Sequence, residues 1–174
     1  MDIAFLDTEI DPTTHKVLDI GCILEDGRRF HANSITAFTD FMKGAAFVCG
    51  HNILKHDLKY IHASVSAAGI PLSNALDTLY WSPLLFPQKP YHALVKDDKL
   101  QTEAINNPLN DSMQARDLFH AEVASFQQLP SYLKQLYWLL LREKPEFSAF
   151  FQYLGYKCRR KTFTLRRIFN PNSI

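Results

Sequence analysis

The stretch DIAFLDTEI, residues 2–10, decides the reading of this chain. Its first part, DIAFLD (2–7), is apolar almost throughout, which marks a central strand covered on both faces. Thr8 separates Asp7 from Glu9 at the strand's end, and side chains alternate along an extended chain, so both acids point to one face. One cation can then reach both. Chance alone produces an acid-x-acid pair or two in a chain of this composition, and a solvated strand-end turn is the competing reading. Location favours the cation, because two like charges at the end of a buried strand are costly without one.

Outward from this strand the chain alternates. VLDIGCIL (17–24) reads as a second buried strand, EDG (25–27) as a turn, and RRFHA (28–32) as a third strand. SITAFTDFMK (34–43) has a capping Ser34 and helical apolar spacing; AAFVCG (45–50) is a short buried strand. NILKHDLKYIHASVSAAG (52–69) places Leu58, Ile61, Val65 and Ala68 on one helical face and ends at Gly69 and Pro71. LDT (76–78) predicts a brief strand feeding a helix, and FPQKPYH (86–92) a loop. Helices are expected over 110–128, from Pro130 through SYLKQLYWLLLRE, and over 146–154. Strands with crossing helices predict an α/β fold with a mixed sheet flanked by helices and a C-terminal helical appendage. The expected division is a main domain over 1–128 and an appendage with a basic linker over 129–174.

Composition limits the function classes. With 174 residues, 47% hydrophobic and 21% charged, the chain can bury a sizeable core, which excludes a disordered tail or a disulfide-stapled miniprotein. Cys22, Cys49 and Cys158 are odd in number and scattered, so a reducing cytoplasm is the expected home. The N-terminus carries acids where a signal peptide carries bases, and no apolar run is long enough for a bilayer, so no membrane partner is expected. The net charge of +1 conceals a net of −5 over residues 1–120 and +6 over 121–174. The basic stretch KCRRKTFTLRR (157–167) suits a phosphate backbone. Because the chain stops in FNPNSI without an evident terminal element, a longer natural polypeptide is expected.

Two further motifs carry acids. In GHNILKHDLKYI, Asp57 falls on the helix expected to start near Asn52, directly after a buried strand, where a helix packed across the sheet can bring an acid toward Asp7 and Glu9. Asn52 at that start can bind backbone or a nucleotide sugar, while His51 and His56 read more simply as a capping-region and a surface side chain. In NDSMQARDLF, Asp111 opens a helix whose Ala115, one turn on, permits close approach to the sheet. By itself Asp111 is an acid favoured by the helix dipole.

Taken in order, FLDTEID with LDIGCI, GHNILKHD, DTLYWSPLLFP and NDSMQARDLF resemble the motifs of the DnaQ-like (DEDD) 3′-to-5′ exonuclease superfamily, over roughly residues 2–120. The resemblance implies a ribonuclease H-like fold, two Mg²⁺ or Mn²⁺ ions held by Asp7, Glu9, Asp57 and Asp111, and hydrolysis at the 3′ end of single-stranded DNA or RNA. Thr8, His51 and Asn52 are then expected at the substrate, and Asp77-Thr78 as structural. The stretch from Phe126 to Tyr156 resembles the region following such a module at the front of a bacterial helicase polypeptide, which implies a fused helicase as partner. One departure stands out. Where family members carry a histidine or tyrosine general base, this chain has Asn106 and Asn107. His92 is the expected substitute, brought to the metals by an excursion over 93–105; an alignment taking Asp97 as the fourth acid ranks behind Asp111 on helical periodicity. Two other readings remain: a nucleic-acid-binding module without a base, and a docking domain using Tyr132, Tyr137, Trp138, Phe147, Phe150, Phe151 and Tyr153.

Overall fold

Strand β1, Ile3–Ile10, divides the core by its alternation. Ile3 and Phe5 face one side of the sheet, Ala4 and Leu6 the other, and all four are fully buried in a computed structural model of the chain, which describes residues 2–92, 94 and 107–158. The other strands are β2 (Val17–Leu24), β3 (Arg29–His31), β4 (Phe47–Gly50) and β5 (Ala75–Asp77), in the spatial order β3-β2-β1-β4-β5. The meander β1-β2-β3 is antiparallel; β4 and β5 add parallel to β1. Burial on both faces of β1 is what a central strand between a hairpin and two crossovers requires.

Helices α1 (Ile35–Met42) and α2 (Leu58–Ala67) cover the Ala4–Leu6 face, burying Phe38, Met42, Ile61 and Val65. Helices α3 (Thr78–Leu85), α4 (Pro108–Gln128), α5 (Ser131–Leu141) and α6 (Pro145–Tyr153) lie toward the Ile3–Phe5 face. Their starts are chemically marked. Ser34 Oγ accepts the Ala37 N–H, Asp77 Oδ1 accepts the Leu79 N–H, and Asn107 Oδ1 accepts from Leu109 ahead of Pro108 at the first turn.

One expectation changes. The helix expected from Asn52 begins only at Leu58, because Asn52 takes a left-handed φ of 66° and the Asn52 and Leu54 N–H groups donate to the Asp77 carboxylate instead of to a helical ladder. The C-terminal aromatics pack against the sheet. Phe150 and Phe151 of α6 are buried with Ile3, Phe5 and Trp81, the Phe150 ring stacks on Trp81 at 4.1 Å, and Tyr153 lies edge-on to Phe47. Helix α6 therefore packs into the Ile3–Phe5 side of the core. Tyr137 and Trp138 of α5 are partly buried against it, while Tyr132, Leu139 and Leu140 stay exposed. Among the described residues no helix is long and apolar enough to cross a membrane.

Sheet and helix approach closely at Gly21. This residue pairs with Asp7 across β1–β2, and a Cβ placed on it would stand 2.1 Å from both Leu109 N and Pro108 C, backbone atoms at the start of α4. No side-chain rotation relieves such an overlap. Gly21→Ala is therefore expected to displace the start of α4 and lower stability by about 1–3 kcal/mol, the usual range for overpacking, read as a lower urea midpoint. An unchanged midpoint would show that α4 does not rest on this strand.

Candidate metal centre

Three of the four expected acids meet. Asp7 and Glu9 project from β1 on the face that α4 covers, and Asp111 lies in the first turn of α4. One ligand oxygen from each can be chosen so that all lie within 4.8 Å of one another, and the three residues are partly buried. Three carboxylates at that spacing offer hard oxygen ligands, the donor type that Mg²⁺ and Mn²⁺ prefer, so the residues present fit a divalent cation. Gly21 and Ala115 explain why α4 can come so close: the first has no side chain, and the second is a methyl buried one turn after Asp111.

Asp57 arrives from the opposite layer. Only 1% exposed, it sits immediately before α2, and its Oδ1 accepts the Thr8 N–H at 2.9 Å and the Thr8 hydroxyl at 2.6 Å. Strand β4 pairs with β1 only as far as Phe5, so the Thr8 N–H extends beyond that ladder and the carboxylate takes it. Asp57 thus stands behind the strand residue that separates Asp7 from Glu9 and is not one of the three clustered ligands. Thr8, expected at the substrate, is itself buried, and its hydroxyl is spent on Asp57.

The remaining expected residues line α3. His51 Nδ1 lies 2.8 Å from Thr78 Oγ1, and His92 Nδ1 lies 2.9 Å from Ser82 Oγ, one helical turn further on. Burial pulls the His51 imidazole down to about 4, with Asp57 opposing that shift and His92 reinforcing it, so His51 is neutral near pH 7. Asn52 is held through its backbone by Asp77. Asn107 caps α4 with its side chain. Asn106, Asp97, the excursion proposed over 93–105 apart from Leu94, and the basic residues from 159 onward lie outside the described residues.

Three contributors were not assigned from sequence. Gly21 sits in the LDIGCI motif, but only the helix across from it shows why a side chain is forbidden. His56, read as a surface residue, stands 3.7 Å from Asp57 Oδ1, and its imidazole is raised by the Asp57 carboxylate, with partial burial opposing and the charges of Asp7 and Glu9 adding. Asp77 accepts three backbone N–H groups, from Asn52, Leu54 and Leu79, and so fixes the Gly-His-Asn turn. The sequence reading took Asp77 as structural, but nothing there signalled its bonds to Asn52 and Leu54.

No protein-family model matches the chain, and neither a curated protein nor a solved structure matches it significantly.

The Asp57–Thr8 pair is open to a double-mutant cycle. Thr8→Val keeps the backbone bond and is expected to cost about 1 kcal/mol, whereas Asp57→Ala strands the buried N–H and hydroxyl together and is expected to cost about 2–4 kcal/mol. Strictly additive losses in urea denaturation would mean that the two side chains do not depend on each other.

Proposed function

We propose that this protein is a metal-dependent 3′-to-5′ exonuclease acting on single-stranded DNA or RNA. The observation that carries the reading is the convergence of Asp7, Glu9 and Asp111, from a central strand and a helix 100 residues later, within 4.8 Å. A sheet of order β3-β2-β1-β4-β5, antiparallel in its first three strands and parallel in its last two, is compatible with the ribonuclease H-like architecture that the motif order implies.

In this reading Asp7, Glu9 and Asp111 hold divalent cations, Mg²⁺ or Mn²⁺, and Asp57 supports them from behind Thr8. When bound, the cations supply Lewis-acid stabilisation of the phosphodiester and a more acidic water. The carboxylates alone would repel a phosphate chain, so concentrated acids serve a nuclease only with cations between. His92, steadied by Ser82 through Nδ1, accepts the proton of the attacking water, and it must be neutral to do so. His51 is neutral near pH 7, and its ring is held against Thr78, one turn of α3 before Ser82, where it can contact the substrate.

The direct test uses a 5′-labelled single-stranded oligonucleotide with Mg²⁺ or Mn²⁺. The parent protein is expected to shorten it from the 3′ end and to stop when EDTA is added. Asp7→Asn is expected to lower the rate at least about 100-fold while the melting profile keeps its shape, because one missing charge weakens the ion site without opening the core. Full activity in that variant would end the proposal. For His92→Ala a rate loss of about 10²–10⁴ is expected, the usual contribution of a general base. An unaltered rate would remove His92 from the mechanism, and tight oligonucleotide binding without product would identify a binding module whose base position is occupied by a capping asparagine.

A further inference from the structure

Glu122 lies near the middle of α4, one turn after Phe119, and faces the aromatic core. It is 0% exposed. Among the described residues, the buried side-chain polar atoms without a hydrogen-bond partner are its two carboxyl oxygens and the indole Nε1 of Trp81. These orphans line the same narrow cleft, together with Leu76, Asp77, Phe119, Glu146 and Phe150. An ionised carboxylate without donors in such surroundings is far costlier than a neutral carboxyl. Its neighbour Asp77 is placed differently: burial raises its carboxyl as well, but three backbone N–H groups donate to it and oppose that rise.

We propose that Glu122 is a buried proton-holding group that keeps the Asp77 clamp closed, so that loss of its proton releases the turn over residues 50–54 beside the candidate site.

The groups around it set the direction. Asp77 at the end of β5, Cys49 on β4, Glu146 in the first turn of α6 and Lys89 after α3 are the titratable or charged groups that face Glu122 from the packed elements, with Glu25 beyond Cys49. Burial, with the charge of Asp77 adding to it, pushes the carboxyl up to about 10, and Lys89 opposes the shift. Cys49 is raised well above its ordinary range by burial, with Glu122, Asp77 and Glu25 adding to it. A second negative charge beside Asp77 has no donor to meet it, and the relief open to the chain is to let one carboxylate reach water. Since the closed form keeps a proton that the open form gives up, the closed form is most favoured near pH 4.5, the ordinary glutamate value, and loses ground as pH rises toward about 10. Over that interval the opening constant is expected to grow about tenfold per pH unit.

Native-state amide exchange of Asn52 and Leu54 reads the clamp directly in the full chain. The parent is compared with Glu122→Gln, which keeps the shape without an ionisable proton, and with Glu122→Met, an apolar variant of similar length should Gln not fold. From about pH 6 to pH 9 the ratio of parent to variant opening constants is expected to climb toward about tenfold per unit, and the variant's advantage in melting temperature is expected to widen. A ratio that stays flat across that range overturns the proposal. So does a widening melting difference with a flat Asn52 and Leu54 ratio, since Glu122 would then burden the core without touching the clamp. Trp81→Phe removes the orphan N–H: an unchanged pH dependence supports a neutral Glu122, whereas destabilisation that deepens with pH would mean that an ionised Glu122 is held by the indole, and would also overturn it. None of these readouts depends on nuclease activity.

Discussion

The structure depends on how closely the start of α4 lies against the β1–β2 hairpin. At Gly21 the separation leaves no room for a single methyl group, and this contact is next to Asp7 across the ladder. Close-packed interiors transmit such a constraint. With the start of α4 pressed onto the sheet, Asp111 in its first turn arrives beside Asp7 and Glu9. The electrostatics alone would favour separation, since three carboxylates repel. Packing of α4 along its full length holds them together, and a cation is what would make the arrangement favourable.

A second layer of order comes from carboxylates used as backbone acceptors. Asp57 finishes the hydrogen bonding of β1 where β4 no longer reaches, and Asp77 does the same for the turn that follows β4. Both are buried acids that accept backbone N–H groups, Asp57 taking the Thr8 hydroxyl as well. Glu122 differs in having no such donors.

The aromatic cluster around Trp81 joins these parts. Phe126, Phe147, Phe150 and Phe151 surround its ring, tying α3, α4 and α6 into one layer against the sheet. Tilted and edge-to-face contacts of this kind add to the burial of large rings. The cluster also explains why the C-terminal helices cannot be treated as a detachable piece: removing α6 would expose the indole and the face of Phe119 that Phe150 and Tyr153 cover.

Local pattern was enough for most of the elements. Alternation and turn signals determined β1, β2 and the meander, Ser34 the start of α1, and helical spacing the course of α4, because each depends on neighbours within a few residues. The pairing of Asp7 with Glu9 on one face was equally legible, being a property of any extended chain. What only the tertiary structure decided was contact across long sequence distances: that Asp111 joins that pair, that Asp57 turns instead to Thr8, that Asp77 unwinds the expected helix start at Asn52, and that Glu122 is left without a donor. A helical pattern says which face is buried but not the depth at which it is buried or which groups it meets there, and those depend on the packing of elements that the chain brings together only when folded.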